Sequence, residues 1–375
     1  DLALMAIDMS AEHSFSGPRD MAASHAFDVI ALERYLAEHM GGFNGPLRVE
    51  QFKGGQSNPT YLLHTPKGRY VMRSKPGPVA KLLPSAHAIE REFRVMQALR
   101  HSDVPVAQMH LLCLDEAVIG RAFYVMEYVE GRVLWDQALP GMTAEQRASH
   151  YDELNRVMAA LHQVDANAVG LSDYGKPGNY FERQIGRWSK QYAASITQPI
   201  EAMDRLMEWL PVHIPAQARD HTRVSIVHGD FRLDNVIFHP TEPKILAVLD
   251  WELSTLGHPL ADFSYHCMAW HIPHHLGRGM AGLSPTPAGI PTESQYVLRY
   301  AQRTGVTDLS SLQKDWNFYL AYNLFRLAAI LQGIAKRVVD GTASSAEAKA
   351  AGQGARPLAE LAWDVARQPA SMLAL

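Results

Sequence analysis

Residues 227–235 read Val-His-Gly-Asp-Phe-Arg-Leu-Asp-Asn, and residues 249–251 read Leu-Asp-Trp. The apolar residues before His228 predict a short strand, and the His-Gly pair predicts a turn that exposes the Asp230 carboxylate. Asn235 follows five positions later, and Asp250 follows a second short apolar strand. Because Asp and Asn are also common in turns and at helix caps, any one of them alone would carry little weight. The three together, at this spacing around a predicted hairpin, indicate a functional site.

This spacing is typical of phosphoryl transfer, in which positioning and charge neutralisation supply most of the catalysis. In protein kinases an Asn five residues after the catalytic Asp, together with a later Asp, binds the metal. We therefore predict that Asp230 accepts a hydrogen bond from the hydroxyl of a small-molecule substrate. We also predict that Asn235 and Asp250 bind Mg²⁺ through their hard oxygen atoms. The predicted cofactors are ATP and Mg²⁺.

Arg232 lies two residues after Asp230, where protein kinases carry a Lys that reaches the transferred phosphate. An Arg at this position could neutralise the charge that develops on the γ-phosphoryl group. The alternative is an ion pair with Asp234, which would contribute little at a protein surface. We favour the catalytic role.

The composition is that of an ordinary globular protein of 375 residues, 47% of them apolar and 20% charged. A net charge of −4 gives no reason to expect a nucleic-acid partner. The only two cysteines, Cys113 and Cys267, lie far apart in the sequence, which favours a reducing compartment over a disulfide framework. Residues 1–24 lack the pattern of a secretory signal, so we predict an N-terminal tail and a cytoplasmic location.

The longest apolar run covers residues 318–335 and includes Asn323, Arg326 and Gln332. An Arg at the centre of a bilayer costs roughly 2.5–3.5 kcal/mol on insertion scales. We therefore predict a buried core helix here and no membrane partner. A buried Arg needs a partner, which for Arg326 could be a protein carboxylate or an anionic group of the substrate.

The order of predicted elements changes character along the chain. Strands and two helices dominate the first part, at residues 26–40, 47–52, 61–64, 70–73, 86–99 and 118–128. Helices dominate the second part, at residues 144–162, 180–192, 200–210 and from 260 onward, with short strands at 225–227, 236–238 and 245–249. We predict an α+β, bilobal fold with a small antiparallel-sheet N-lobe that binds nucleotide (residues 25–129). A larger, mainly helical C-lobe, residues 130–375, would carry the catalytic loop and substrate-binding helices.

Two weakly patterned segments belong to the predicted C-lobe. Residues 277–291 are rich in Gly and Pro and predict a loop that is either a lid or a disordered excursion. Residues 340–357 are rich in Ala, Gly and Ser and show little periodicity.

A glycine-bearing turn between two predicted strands is a candidate for binding the nucleotide phosphates. Its backbone can approach phosphates closely, and its amides and hydroxyl can donate hydrogen bonds to them. A glycine pair is also common in simple hairpins, and the stretch is not a P-loop, because no Gly-Lys-Ser/Thr follows it. The candidate residues are Gly55, Gln56, Ser57 and Asn58.

An ion pair in the N-lobe is the second nucleotide-binding candidate. Arg73 ends a predicted strand, and Glu92 lies in the next predicted helix, so the cation could contact the phosphates while the carboxylate fixes it. Lys75 competes with Arg73 for this role, and Glu90 competes with Glu92. The alternative is solvated surface charge, which is the usual environment of Arg and Glu.

The segment that connects the two predicted lobes is the candidate for binding adenine. The Glu127 carbonyl and the Val129 amide could contact the base, because a flat ring in an apolar cleft needs a few fixed polar groups. The alternative is an ordinary linking strand.

Other candidate residues follow the catalytic stretch. Trp251 and Glu252 come directly after Asp250 and could contact the substrate, as could Arg326. Four histidines have spacings that do not match zinc patterns, so we predict that they are structural or line the substrate site: His266, His271, His274 and His275.

Taken together, these residues resemble the aminoglycoside phosphotransferase and choline kinase-like family of small-molecule kinases, over roughly residues 26–340. His228-Gly229-Asp230 replaces the His-Arg-Asp of protein kinases, and residues 250–252, Asp-Trp-Glu, replace Asp-Phe-Gly. The resemblance implies a protein-kinase-like fold and the catalytic, metal-binding, ion-pair and adenine-binding roles given above. One position departs from the family pattern: Arg73 occupies the strand position that usually holds Lys, and the two are not geometrically equivalent.

A longer stretch, residues 250–265, together with Asn-Leu-Phe-Arg-Leu-Ala-Ala-Ile-Leu-Gln-Gly at 323–333, is similar to kinase-like domains associated with acyl-CoA dehydrogenases. That branch implies a hydroxyacyl-CoA-type acceptor and a functional link to an acyl-CoA dehydrogenase. It also implies that Asp262 braces the catalytic loop rather than reacting. The alternatives are an aminoglycoside or amino-alcohol kinase, or a catalytically silent nucleotide-binding module.

Overall fold

The computed structural model of the protein describes residues 18–21, 26–52, 58–76, 88–176, 178–220, 222–341 and 346–375. The chain divides into two compact units. Among the described residues, unit 1 consists of the chain up to Val133 together with Val236–Ser254. Unit 2 consists of Leu134–Asn235 and Thr255–Leu375.

Unit 1 contains a six-stranded antiparallel sheet in the order β1-β2-β3-β4-β6-β5. Its strands are β1 (Pro18–Arg19), β2 (Arg48–Phe52), β3 (Thr60–Thr65), β4 (Gly68–Ser74), β5 (Met109–Cys113) and β6 (Phe123–Glu127). The turn after β3 is a two-residue hairpin connection, since Thr65 pairs with Gly68. The sequence did not predict β5, and it extended the β6 region back to residue 118, where the structure has turns instead.

Two helices pack with this sheet in unit 1. Helix α1 (Val29–His39) begins at Asp28, whose side chain accepts a hydrogen bond from the Ala31 amide at 3.0 Å. Helix α2 (Ile89–Leu99) has acidic residues in its first turn, where they interact favourably with the helix dipole. The two predicted helices in this part of the chain are therefore confirmed, although α1 and α2 both begin three residues later than expected.

A short hairpin also belongs to unit 1, although it comes much later in the sequence. Strands β8 (Val236–Phe238) and β9 (Ile245–Val248) pair antiparallel, with Val236 opposite Val248. The hairpin is bonded to the segment after β6, because the Arg132 amide donates to the Phe238 carbonyl at 2.7 Å and the Phe238 amide donates to the Arg132 carbonyl at 2.8 Å. The prediction placed this hairpin in the C-lobe, whereas its backbone contacts group it with the sheet.

Unit 2 is mainly helical. Its helices are α3 (Ala144–Gln163), α4 (Tyr180–Ser195), α5 (Glu201–Val212), α6 (Pro259–Cys267), α7 (Glu293–Thr304), α8 (Leu309–Val339), α9 (Ala346–Gln353) and α10 (Ala355–Ala366). A two-stranded antiparallel pair, β7 (Ser225–Val227) with β10 (Thr255–Gly257), accompanies them. Helices α9 and α10 occupy much of the stretch that the sequence left weakly patterned.

The long helix α8 is the core element of unit 2. It packs against α4, α6, α9 and α10, and most of its side chains from Trp316 to Ile334 are buried. In the described part of the chain it is the one helix that is long and apolar enough to cross a membrane. However, 83% of its most apolar 18-residue segment is buried inside the protein. The prediction of a buried core helix over residues 318–335 is therefore confirmed.

Candidate active site

The predicted catalytic loop of unit 2, which begins at His228, is fixed by one buried carboxylate. Asp262, in the first turn of α6, accepts hydrogen bonds from the amides of His228 and Gly229 at 2.7 and 2.8 Å. Burial opposes the charged form, but the hydrogen bond and charge of His162 lower the pKa of Asp262. Gly229 has φ of 83°, a left-handed conformation that a side chain would strain. The expectation that Asp262 braces this loop is confirmed.

Asp230 follows this braced turn and is almost completely buried. Its Oδ1 accepts a short hydrogen bond, 2.6 Å, from the hydroxyl of Tyr265, and its Oδ2 accepts one from Asn235 at 3.2 Å. Burial raises the pKa of Tyr265, and the Asp230 charge raises it further, so this phenol keeps its proton and acts as a donor. The Asp230 carboxylate is therefore held in one orientation by two neutral donors.

Asn235 ends a 3-10 turn, Leu233–Asn235, and its side-chain nitrogen also donates to the Asp230 carbonyl at 2.8 Å. This places the amide nitrogen toward Asp230. The amide oxygen accepts no hydrogen bond from the described part of the chain, so it is free to bind a cation. The arrangement suits a metal ligand with hard oxygen chemistry.

Arg232 forms the ion pair that the sequence left open as its alternative role, while its predicted contact with the γ-phosphoryl group stays a prediction. Its Nη2 lies 2.9 Å from Asp234 Oδ2, and its Nε lies 3.4 Å from Asp230 Oδ1. The ion pair with Asp234 is therefore present, but the side chain is mostly buried beside the candidate base rather than at the surface.

Arg326, on α8, has a partner that the sequence analysis did not consider. Its Nη2 donates to the Gly229 carbonyl at 2.6 Å, and its guanidinium lies over the rings of Tyr265 and Trp188. Arg326 therefore helps position the catalytic loop through a backbone contact. Neither of the predicted partners, a protein carboxylate or an anionic substrate group, is needed to satisfy this bond.

In unit 1, Arg73 forms a buried ion-pair network. Its Nε lies 3.3 Å from Glu92, and its Nη2 lies 3.0 Å from Asp250 and 3.6 Å from Glu252. Lys75 pairs separately with Glu90 at 3.7 Å, and both of those side chains are much more exposed. The structure thus separates the two pairings that competed in the sequence: Arg73 with Glu92, and Lys75 with Glu90.

Glu92 is held in place by two further donors. Asn58 donates to its Oε1 at 2.9 Å, and the Tyr124 hydroxyl donates to its Oε2 at 3.0 Å. Asn58, predicted to bind nucleotide, thus fixes the carboxylate that binds Arg73. The other three turn candidates, Gly55, Gln56 and Ser57, lie outside the described residues.

Asp250 adopts a left-handed conformation, with φ of 61°, directly before a 3-10 turn, Trp251–Leu253. Non-glycine residues in this region are uncommon and occur often at functional sites. Burial raises the pKa of Glu252 to about 7, and the nearby Asp250 charge acts in the same direction. Trp251 is only 1% exposed, and its indole N–H donates to the Val248 carbonyl at 3.0 Å. Trp251 therefore lies in the core, and its predicted contact with the substrate stays a prediction.

The predicted adenine contacts lie where β6 ends. The Glu127 amide donates to the Gln108 carbonyl at 2.8 Å, and its side chain accepts from the Gln108 amide at 3.1 Å. Within the described residues the Val129 amide has no hydrogen-bond acceptor, so it is available to a ligand. Contact of either group with adenine stays a prediction.

Three of the four predicted histidines have ordinary side-chain partners in unit 2. His266 is bonded to the Tyr296 hydroxyl at 2.9 Å, His271 to Glu293 at 2.8 Å, and His274 to Asp136 at 3.2 Å. These bonds fit the structural role, which is one of the two that the sequence left open.

Two residues at the site were missed from the sequence: Tyr265, which donates to Asp230, and Tyr124, which donates to Glu92. Tyr124 lies in an apolar strand and Tyr265 in a buried helix, where a Tyr is expected in the core, so no local signal distinguished them. Asp230 and Asn235 belong to unit 2 and Asp250 to unit 1. The convergence of all three on one metal ion therefore stays a prediction.

The fold and these residues define a kinase-like protein, and comparison with known proteins identifies its family. The profile of the phosphotransferase enzyme family matches residues 48–284, and the chain belongs to that family. This confirms the predicted class, a phosphotransferase of the aminoglycoside phosphotransferase type. The predicted resemblance and α+β fold are confirmed as well.

Two curated relatives from Mus musculus are acyl-CoA dehydrogenase family members. Member 10 is 47% identical over 351 residues, 93% of this chain and 32% of the relative. Member 11 is 39% identical over 354 residues, 93% of this chain and 44% of the relative. The chain therefore spans about a third to just under half of the length of these relatives.

Solved structures agree with the fold. A Ralstonia eutropha protein assigned as an aminoglycoside phosphotransferase is 61% identical, with a TM-score of 0.82 over 91% of this chain and 99% of that one. Aminoglycoside phosphotransferase APH(4)-Ia, solved with ADP and hygromycin B, has a TM-score of 0.57 at 16% identity over 91% of this chain and all of that one. A microcompartment-associated aminopropanol kinase has a TM-score of 0.54 at 18% identity, over 90% of this chain and 96% of that one. The last two likenesses show the fold alone.

Proposed function

We propose that the protein transfers the γ-phosphoryl group of ATP to a hydroxyl of a small molecule, in a reaction that depends on Mg²⁺. The observation that carries this proposal is the Asp230 carboxylate. It is buried, fixed by Tyr265 and Asn235, and mounted on a loop that Asp262 and Arg326 hold by its backbone. A carboxylate that is fixed this firmly by neighbouring hydrogen-bond donors is suited to orienting an incoming hydroxyl.

Each candidate residue has a specific task in this reaction. Asp230 accepts the hydrogen bond of the acceptor hydroxyl and aims its oxygen at the γ-phosphorus. Arg232 balances the charge that develops during transfer, and Arg73, fixed by Glu92, binds the nucleotide phosphates. Asn235 and Asp250 supply the oxygen ligands of Mg²⁺, an ion that neutralises phosphate charge when bound.

For the acceptor, we propose a hydroxyacyl-CoA-type compound. Support comes from the names of the relatives, which are acyl-CoA dehydrogenase family members, and a functional link to such a dehydrogenase belongs to the same proposal. The names of the distant structural neighbours favour the second candidate, an aminoglycoside or amino-alcohol acceptor. A catalytically silent module is disfavoured, because Asp230, Asn235 and Asp250 are all retained.

The test is ADP release by the purified chain with Mg-ATP and a panel of hydroxyacyl-CoAs, aminoglycosides and amino alcohols. We expect acceptor-dependent release, and we expect Asp230→Asn to lower kcat about 10²–10⁴-fold while Mg-ATP binding is retained. The matched control is Asp364→Asn, which removes an exposed carboxylate of unit 2 and should leave kcat unchanged. Full turnover by Asp230→Asn would exclude Asp230 as the catalytic residue.

A further inference from the structure

Arg278 lies in the loop after α6 and has no role in the site described so far. Both of its terminal nitrogens are shielded from solvent, and neither has a hydrogen-bond partner in the part of the chain that the structure describes. A guanidinium carries five N–H donors, and a buried donor left unsatisfied is costly. Such an arrangement either destabilises the folded protein or provides the donors of a ligand-binding site.

The backbone on both sides of Arg278 is firmly held, so its position is not that of a loose loop. The Met280 amide donates to the Ala269 carbonyl at 2.7 Å, and the Ala281 amide donates to the Ile272 carbonyl at 3.1 Å. A Cβ atom on Gly279 would lie 1.7 Å from the Ile272 carbonyl oxygen, so the chain passes closer here than any side chain would allow. The segment that the sequence suggested as a lid or a disordered excursion is tied to its surroundings at this end.

The two carboxylates nearest Arg278 are shared with a second cation, Arg232. The charged neighbours of Arg278 are Arg232, Asp234 and Asp230, together with the Tyr265 phenol. Both carboxylates are already engaged by Arg232, at 2.9 and 3.4 Å. Burial lowers the pKa of Arg278 to about 10, and the Arg232 charge lowers it further. An anion beside Arg278 would accept the hydrogen bonds that these carboxylates leave unmade at its two terminal nitrogens.

We propose that Arg278, together with Arg232, forms a binding site for an oxyanion directly beside Asp230, and that the ligand is a phosphate-type group of one of the two reactants. Arg is suited to this task, because its planar fork can donate two parallel hydrogen bonds to a phosphate or carboxylate. This inference deepens the proposed function and rests on it for the identity of the ligand. The anion is either the γ-phosphate of the nucleotide or a charged group of the acceptor.

The first test is thermal unfolding of the full chain with inorganic phosphate or sulfate as the probe. At about ten times its Kd, phosphate should raise the Tm of the wild type by roughly 2 °C. Arg278→Gln should lose this rise, Arg278→Lys should retain part of it, and the exposed control Arg367→Gln should behave as the wild type. An undiminished phosphate-dependent rise in Arg278→Gln would overturn the proposal.

The stability of the unliganded variant is a second readout. If Arg278 has no structural partner, Arg278→Gln removes buried donors that make no hydrogen bond, so its Tm without ligand should equal or exceed that of the wild type. A large fall in this Tm would show that Arg278 is a structural residue, and it would overturn the proposal.

Measurements of nucleotide Kd and of acceptor KM distinguish the two sources of the anion. If the γ-phosphate is the ligand, Arg278→Gln should bind AMP-PNP at least about tenfold more weakly but ADP with unchanged Kd, a difference near 1.4 kcal/mol. If the acceptor carries the anion, both nucleotides should bind normally, and the acceptor KM should rise by a similar factor. Normal values in both arms would count against the site.

Failure of this inference and failure of the proposed function give different results. If no acceptor supports ADP release, but phosphate still stabilises the wild type and not Arg278→Gln, the anion site stands and the transfer reaction fails. If transfer occurs with the predicted Asp230 dependence while Arg278→Gln is normal in every assay, the function stands and the anion site fails.

Discussion

At the scale of single residues, the candidate site depends on side chains that hold the candidate residues in place through hydrogen bonds. Asp262 is the clearest case, because its two oxygens accept the amides of His228 and Gly229 and one of them also contacts His162 at 3.1 Å. We predict that Asp262→Asn lowers the free energy of unfolding by about 1–3 kcal/mol. The side-chain nitrogen of Asn would face one of the two backbone N–H groups and could not accept its hydrogen bond. Urea denaturation measures this, with Asp364→Asn as the exposed control. Equal stability of Asp262→Asn and the wild type would contradict the bracing role.

Some of these residues could be predicted from the sequence, and the reason is chemical. Asp230, Asn235 and Asp250 were identified because carboxylate and amide side chains at that spacing have few uses other than binding a hydroxyl and a metal. The Arg73–Glu92 pair could be suggested but not separated from Lys75 and Glu90. That choice depends on burial, which a sequence does not give. Tyr265 and Arg278 carried no signal, since their roles arise only from contacts between distant elements.

At the scale of elements, the β8–β9 hairpin depends on a close approach to the segment after β6. A Cβ on Gly131 would lie 2.3 Å from the Phe238 carbonyl oxygen and 2.4 Å from the Ile237 side chain. We predict that Gly131→Ala destabilises the protein by about 1–3 kcal/mol, because backbone must move to accept the methyl group. Its control is Gly186→Ala in α4, where nothing lies within 4 Å. The control should be stabilised by about 0.5–1 kcal/mol. A Gly131→Ala variant as stable as that control would contradict the close contact.

The residue that caps the N-terminus of helix α6 makes the free energy of unfolding depend on pH. Burial lowers the pKa of His258 to about 3, with the Arg223 charge acting in the same direction, and His258 Nδ1 caps the helix by accepting the Leu260 amide at 3.2 Å. The folded protein therefore keeps His258 neutral at a pH at which the unfolded chain binds a proton, near 6.5 and below. Its contribution to stability is complete above that pH and is lost progressively as the pH falls toward 3.

We predict from this that the free energy of unfolding decreases with falling pH between 6.5 and 5, and that His258→Asn reduces the slope by about 1.4 kcal/mol per pH unit. Asn can still cap the helix, so the variant should fold. Denaturation at a series of pH values measures the slope, with the exposed His275→Asn as control. A slope unchanged by His258→Asn would refute the prediction.

Most elements could be predicted because their apolar periodicity is local, as in α1, α2, α3 and the strand β7. The failures share a physical cause. Strand β5 has no clear alternation, and β10 is only three residues long, so each is defined by its partner strand rather than by its own sequence. Helices α9 and α10 are rich in small residues, which weakens the periodic signal although they pack on α8.

At the scale of the whole molecule, the chain contains a sheet unit and a helical unit, and the candidate residues are distributed over both. The predicted fold, a sheet part followed by a mainly helical part, is confirmed. The β8–β9 hairpin, however, belongs to the sheet unit. Its backbone bond between Arg132 and Phe238 joins residues so far apart in the sequence that no local pattern reveals it. The chain also covers less than half of its curated relatives. A functional connection to dehydrogenase chemistry is therefore a matter for experiment on complete proteins.

The most direct test of the central claim is the equilibrium binding of AMP-PNP, with and without Mg²⁺, to the wild type, Asn235→Ala and Asp250→Ala. Our account predicts that Mg²⁺ tightens binding to the wild type and that each variant loses roughly tenfold or more of that gain, about 1.4 kcal/mol. Equal Mg²⁺ dependence in all three proteins would contradict it, because Asn235 and Asp250 would then have no part in holding the metal.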